Sequence, residues 1–102
     1  MSDFNMDQLI DLAIKQGRQV LYMLPEIALT TQLITRLQNY FGEKISVYHS
    51  KYSISERVEV WNNVLNNKSK AQIIIGARSS LFLPFSKLGL LIVDEEHEPS
   101  FK

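Results

Sequence analysis

Two runs of unbroken aliphatic residues, Ile73-Ile74-Ile75 and Leu90-Leu91-Ile92-Val93, most restrict the folds open to this chain. A strand with one wet face alternates apolar and polar residues, so runs like these at strand length must be apolar on both faces. Such strands belong to parallel sheets, whose crossover helices cover both sides. The remaining sequence supplies the helices. From Met6 to Gln16 the residues Met6, Leu9, Ile10, Ala13 and Ile14 recur at helical spacing, with Asn5 and Gln8 as a capping box and Gly17 as the stop. A strand from Gln19 to Leu24 closes at Pro25, which lacks the N–H to continue a ladder. A second helix is predicted from Ala28 to Phe41, with Leu29, Leu33, Leu37 and Phe41 on one stripe and Gly42 beyond it. After a strand from Ile45 to Tyr48, Ser53 and Glu56 form another capping box; the helix they open is expected to turn Val58, Trp61 and Leu65 to the core. On the same reasoning Trp61, Tyr40 and Phe41 are core residues and not a platform for stacking bases. Strands from Gln72 to Ile75 and from Leu88 to Val93 follow, separated by a short turn or helix through Ser79 to Phe82. The class is therefore α/β: a three-layer sandwich with a mostly parallel sheet, covered on both faces.

At 102 residues the chain suits one core, and its eleven basic and eleven acidic residues cancel. No global field draws it to nucleic acid or to an anionic membrane, so any such contact must come from local geometry. The absence of cysteine excludes a disulfide framework and a thiolate zinc site. No apolar run approaches the roughly 20 residues of a membrane span, and the first residues lack a signal peptide's pattern. The expectation is a soluble, cytoplasmic protein without a membrane partner.

Open parallel sheets bind ligands in the crevice beyond the carboxyl ends of their strands. Each predicted strand here runs into chemically capable residues: Pro25-Glu26, His49-Ser50, Gly76-Ala77-Arg78-Ser79, and Asp94-Glu95-Glu96-His97. A carboxylate directly after an apolar strand can hold Mg²⁺ through water, because that ion keeps several waters and takes one or two protein carboxylates plus phosphates. Asp94 suits that position. Glu95 would then lie within reach of a water lined up behind a terminal phosphate, as general base, and His97 could couple the nucleotide state to a neighbouring element. The competing readings are a solvated acidic loop and a zinc hydrolase, although the H-E-x-x-H spacing of the latter is missing. In the third loop Gly76 permits a close backbone approach, Arg78 can pair with a phosphate, and Ser79 sits near a helix start that favours anions. An ordinary strand-to-helix turn with an exposed arginine fits the same residues. Pro25 and Glu26 also serve a plain turn, and His49 suits a satisfied structural group.

Taken together, LPEIALTTQL from Leu24, VYHSKYSISER from Val47, Trp61, and IIIGARSSLFLPFSKLGLLIVDEEHEPSFK from Ile73 resemble the superfamily 2 helicases, within them the branch that restarts replication. The resemblance covers the chain from about Gln8 onward. It implies a partial RecA-like (P-loop NTPase) helicase lobe of an ATP-dependent 3′-to-5′ DNA helicase. Asp94 (with Mg²⁺), Glu95 and His97 would be the nucleotide motif, Asp94 and Glu95 also contacting ATP. Pro25, Glu26, Gly76, Arg78 and Ser79 would contact single-stranded DNA. Partners implied are single-stranded and forked DNA and the primosome and replication-restart proteins; the family's zinc-binding cysteines would lie outside this chain. Ala77 stands where the family commonly has threonine, which removes one phosphate contact. A larger departure is the P-loop, G-x-x-x-x-G-K-S/T, which should precede the first helix and is not found. The resemblance thus predicts a truncated piece: residues 6–102 as a helicase ATP-binding domain with motifs Ia to II, residues 1–5 of expression origin, and no appreciable ATPase from this polypeptide alone. Two alternatives stay open: a non-catalytic module that binds nucleic acid or a partner protein, and a structural domain with no site.

Overall fold

The computed structural model describes residues 5–95, in which three α-helices each precede a strand and a fourth strand follows after a 3₁₀ turn. Helix α1 (Met6–Lys15) starts at a reciprocal cap: the Asn5 side chain accepts from the Gln8 N–H at 2.9 Å, and the Gln8 side chain accepts from the Asn5 N–H at 3.1 Å. The chain leaves it through Gly17 at φ +73°, a left-handed conformation open to glycine without a Cβ penalty. Strand β1 (Gln19–Met23) follows, then a 3₁₀ turn (Glu26–Ala28) and helix α2 (Thr31–Phe41). Helix α2 begins three residues later than its periodicity predicts, because the Thr30 hydroxyl caps it by accepting from the Leu33 N–H at 3.2 Å. Strand β2 (Ile45–Tyr48) leads to helix α3 (Ile54–Leu65), opened by the Ser53 and Glu56 box as predicted. Strands β3 (Ile73–Gly76) and β4 (Leu88–Val93) flank a second turn (Arg78–Phe82).

All strands are parallel, in the order β2-β3-β1-β4, so β1 is central and β4 lies at one edge. On one face α1 and α2 cover a core containing Ile10, Leu33, Val20, Tyr22, Ile73 and Ile75. On the other, α3 sets Val60 and Val64 against Leu21, Ile74 and Leu83. This is the expected three-layer sandwich. The side of α3 that meets the sheet is not the expected one: Val58, Trp61 and Leu65 are exposed, Trp61 at 42%, and Val60 and Val64 are buried instead. Both stripes are apolar at helical spacing, so periodicity does not separate them. A tertiary contact favours the observed side, since the fully buried Gln19 amide on β1 donates to the Val64 carbonyl at 2.9 Å. Tyr40 is likewise exposed and Phe41 only partly buried, while Met6 and Leu9 of α1 face outward.

Strand β4 departs from expectation too. Its aliphatic run predicts cover on both faces, yet Leu91 and Val93 are 44% and 49% exposed. Leu90 and Ile92 pack under α1 and α2, whereas the core beneath α3 draws on β1 and β3 and does not extend to β4. The β1–β4 register shifts between Gln19 and Val20, whose partners are Leu88 and Leu90. At the skipped residue, Gly89, a Cβ would stand 2.5 Å from the Arg18 Cβ, so only glycine lets the two chains pass.

Gln19 also accepts from the Ser86 N–H at 3.1 Å and the Lys87 N–H at 2.8 Å, tying the entry of β4 to β1. Replacing Gln19 with alanine removes all three bonds and leaves a cavity, at an expected cost of about 2–4 kcal/mol in urea denaturation. Thr30→Ala, which removes a helix cap, should cost about 1 kcal/mol. A Gln19→Ala loss no larger than that of the cap would show that the buried amide does not hold the layers together.

Candidate active site

Parallel strands bring all their carboxyl ends to one edge, and there the loops converge. Pro25 and Glu26 after β1, Ser50 after β2, Arg78 and Ser79 after β3, and Asp94 and Glu95 after β4 line a single cleft of about 500 Å³. Six of the eight sequence-predicted site residues are therefore brought together. Gly76 lies one residue before the lining, and His97, with Glu96, falls outside the described residues. Two backbone bonds extend the ladder past the strand ends: the Leu24 N–H donates to the Gly76 carbonyl and the Asp94 N–H to the Met23 carbonyl, both at 2.9 Å. Pro25, without an N–H, ends the pairing and turns the chain across the cleft.

Glu26 opens the 3₁₀ turn after β1, and its carboxylate accepts from the Ser50 hydroxyl at 2.7 Å, joining the loops after β1 and β2. His49 lies beneath this link, buried and stacked on Tyr52. Its Nδ1 accepts from the Lys51 N–H at 3.1 Å, which leaves Nε2 as the donor to the Leu29 carbonyl at 3.3 Å. In that tautomer the 3.3 Å approach of Glu26 to Nδ1 is not a hydrogen bond; it becomes an ion pair only when the ring is protonated. His49 is thus a satisfied structural group, as the sequence suggests.

After β3 the chain turns sharply. A Cβ on Gly76 would sit 2.7 Å from the Ser80 Cβ and 3.1 Å from the Tyr48 carbonyl oxygen, so a side chain there would force the turn open. Ser80 is fully buried and its hydroxyl donates to the Ala77 carbonyl, fixing the inside of the turn. Arg78 and Ser79 are left on the exposed side, facing the cleft. The expected helix start at Ser79 is a five-residue 3₁₀ turn with no side-chain cap.

Asp94 follows β4, half-buried, and its Oδ2 accepts from the Tyr22 hydroxyl at 2.7 Å; Glu95 beside it is exposed. Tyr22 escapes a reading based on strand ends because it sits within β1. The available signal is a phenol among aliphatics on a core strand, since a buried tyrosine hydroxyl needs a partner. Among the described residues no group of three or more His, Cys, Asp or Glu side chains gathers into a metal cage. Two successive carboxylates fit a hard cation completed by water and phosphate, as Mg²⁺ is, better than one held by protein alone.

Residues 5–102 match the family model of the DEAD/DEAH box helicase. The chain is 48% identical over 92 residues to the replication restart protein PriA of Rickettsia prowazekii (strain Madrid E) and 43% identical over 95 residues to that of Haemophilus influenzae. It is 37% identical over 95 residues to that of Bacillus subtilis (strain 168). These alignments cover 90%, 93% and 93% of this chain and only 14%, 13% and 12% of the respective relatives. No helix among the described residues is long and apolar enough to cross a membrane. With the family model reaching across all but the first four residues, the chain belongs to the DEAD/DEAH box helicase family.

Proposed function

We propose that this chain forms part of the ATPase lobe of an ATP-dependent 3′-to-5′ DNA helicase acting in replication restart and primosome assembly. One observation carries the reading: residues from all four strand ends share one cleft, with the paired carboxylates and the candidate phosphodiester contacts on its walls. Asp94 would hold Mg²⁺ through water, and that ion would supply neutralisation of the charge developing on the phosphates. Glu95, exposed to the cleft, takes the proton of the attacking water. His97 relays the nucleotide state to a neighbouring element of the motor.

On the opposite wall Arg78 pairs with a phosphodiester of single-stranded DNA, while Ser79 and the backbone around Gly76 fit against the same strand. Pro25 and Glu26 border that path, and the Glu26–Ser50 bond keeps their loop in place. Because acidic and basic residues balance, affinity for DNA rests on these local contacts. Forked DNA and the proteins of replication restart are the partners this reading implies. Zinc, where the family uses it, needs thiolates that these 102 residues do not contain. The 102 residues also contain no G-x-x-x-x-G-K-S/T segment to cradle phosphates, so the polypeptide by itself binds ATP weakly and does not turn it over.

Three measurements test this. In the intact helicase Glu95→Gln should keep ATP binding and lower kcat by about 10²-fold or more, the usual contribution of a general base; unchanged turnover would reject its role. Arg78→Ala should weaken single-stranded DNA binding at low salt and reduce the slope of log K against log salt by about 0.7, one phosphate's worth. An unaltered slope would place Arg78 outside the DNA path. The purified polypeptide should show no DNA-stimulated ATP hydrolysis; measurable turnover would mean that its cleft binds triphosphate unaided.

A further inference from the structure

Tyr22 lies on β1 opposite Ile92 of β4, in a parallel register that continues through Met23 and Val93. Successive side chains alternate between the faces of a sheet, so Asp94, two residues beyond Ile92, returns to the face that carries Tyr22. The two are diagonal neighbours on adjacent strands, a separation that an aromatic side chain spans. The ring belongs to the core under α1 and α2, among Val20, Ile75 and Leu24, where packing leaves it little freedom. Its hydroxyl emerges at the strand end and donates to Asp94 Oδ2 at 2.7 Å. We propose that Tyr22 is a positioning residue that holds the Asp94 carboxylate in the orientation its metal site requires, an inference that rests on the metal role proposed for Asp94.

The chemistry of the donor matters as much as its place. A carboxylate at a strand end has two rotatable bonds, and holding them in one orientation costs conformational entropy. A rigid ring anchored in the core offers one donor at a fixed point, and a hydrogen bond to an ionised acceptor is the stronger kind. Being neutral, the phenol orients the carboxylate without cancelling the negative charge that attracts the cation. A lysine or arginine at the same point would oppose that attraction. A carboxylate has about four acceptor sites, so a bond at Oδ2 is compatible with a metal-bound water at the same group. Partners of this kind typically change metal affinity by about 10–100-fold when removed.

The test uses the 102-residue chain and Tyr22→Phe, which keeps the ring in the core and deletes the hydroxyl. Three-bond Hα–Hβ couplings read the Asp94 side chain by NMR, and Mn²⁺, added with inorganic phosphate to complete its coordination, serves as the metal probe through paramagnetic broadening. Expected are one Asp94 rotamer in the parent chain, averaging in the variant, a thermal midpoint nearly unchanged, and about 10-fold more Mn²⁺ needed to broaden Asp94 and Glu95. Identical couplings in both proteins would overturn the proposal, as would a variant too unstable to fold, which would make the hydroxyl a requirement of the fold. Loss of the single rotamer in Tyr22→Phe with no broadening in either protein would uphold the orienting bond and defeat the metal role of Asp94.

Discussion

The buried amide of Gln19 is where β1, helix α3 and the entry of β4 meet. Its nitrogen donates into the last turn of α3 at Val64, and its oxygen accepts from the backbone of Ser86 and Lys87 just before β4. A side chain able only to donate, or only to accept, would leave part of that junction unpaired in a place closed to water. The consequence reaches the cleft. Register in a sheet has a period of two, so a one-residue slip of β4 against β1 would carry Asp94 to the opposite face, away from the Tyr22 hydroxyl. Gly89, which lets the strand pass Arg18, permits the register and Gln19 fixes the end from which it is counted.

The four loops of the cleft are far apart in sequence and share no local pattern; only parallel pairing assembles them. Three devices then hold the four of them. Glu26 is tied to Ser50 by a hydrogen bond, Arg78 is set by the close packing of Gly76 on Ser80, and Asp94 is reached from within the sheet by Tyr22. None of these depends on a ligand. A pre-formed edge of this kind suits phosphoryl chemistry, where catalysis is mostly positioning and charge stabilisation and the protein need contribute little covalent chemistry.

Most of this was legible in the sequence, and the exceptions share a cause. Helix caps and strand ends are local events, and Asn5 with Gln8, Ser53 with Glu56, Gly42 and the bounds of β2 and β4 all stand where the residues predict. Choosing between two apolar stripes of α3 is not local. Val58, Trp61 and Leu65 are apolar at helical spacing too, yet it is the Val60 and Val64 side that meets the sheet, with the Val64 carbonyl joined to Gln19 some 45 residues away in sequence. The exposure of β4 is similar: its composition belongs to a strand with neighbours on every side, and strand order, which no single sequence displays, sets it at the edge. Tyr22 is the same lesson at the site. Its neighbours Leu21 and Met23 are apolar, and only the β1–β4 register brings its hydroxyl and the Asp94 carboxylate together.

Asp94 and Glu95 are adjacent carboxylates whose surroundings differ in the way the two roles proposed for them require. Asp94 is half-buried, its N–H paired with Met23 and an oxygen held by Tyr22, so it is fixed through both backbone and side chain. Glu95 is exposed and one residue further from the sheet. A metal ligand benefits from rigidity, because each freedom it keeps must be lost when the ion binds. A general base needs reach to a water whose position is set by the substrate and not by the protein. The order of the two residues along the chain, with the held carboxylate nearest the strand and the freer one beyond it, follows directly from where the β1–β4 ladder ends.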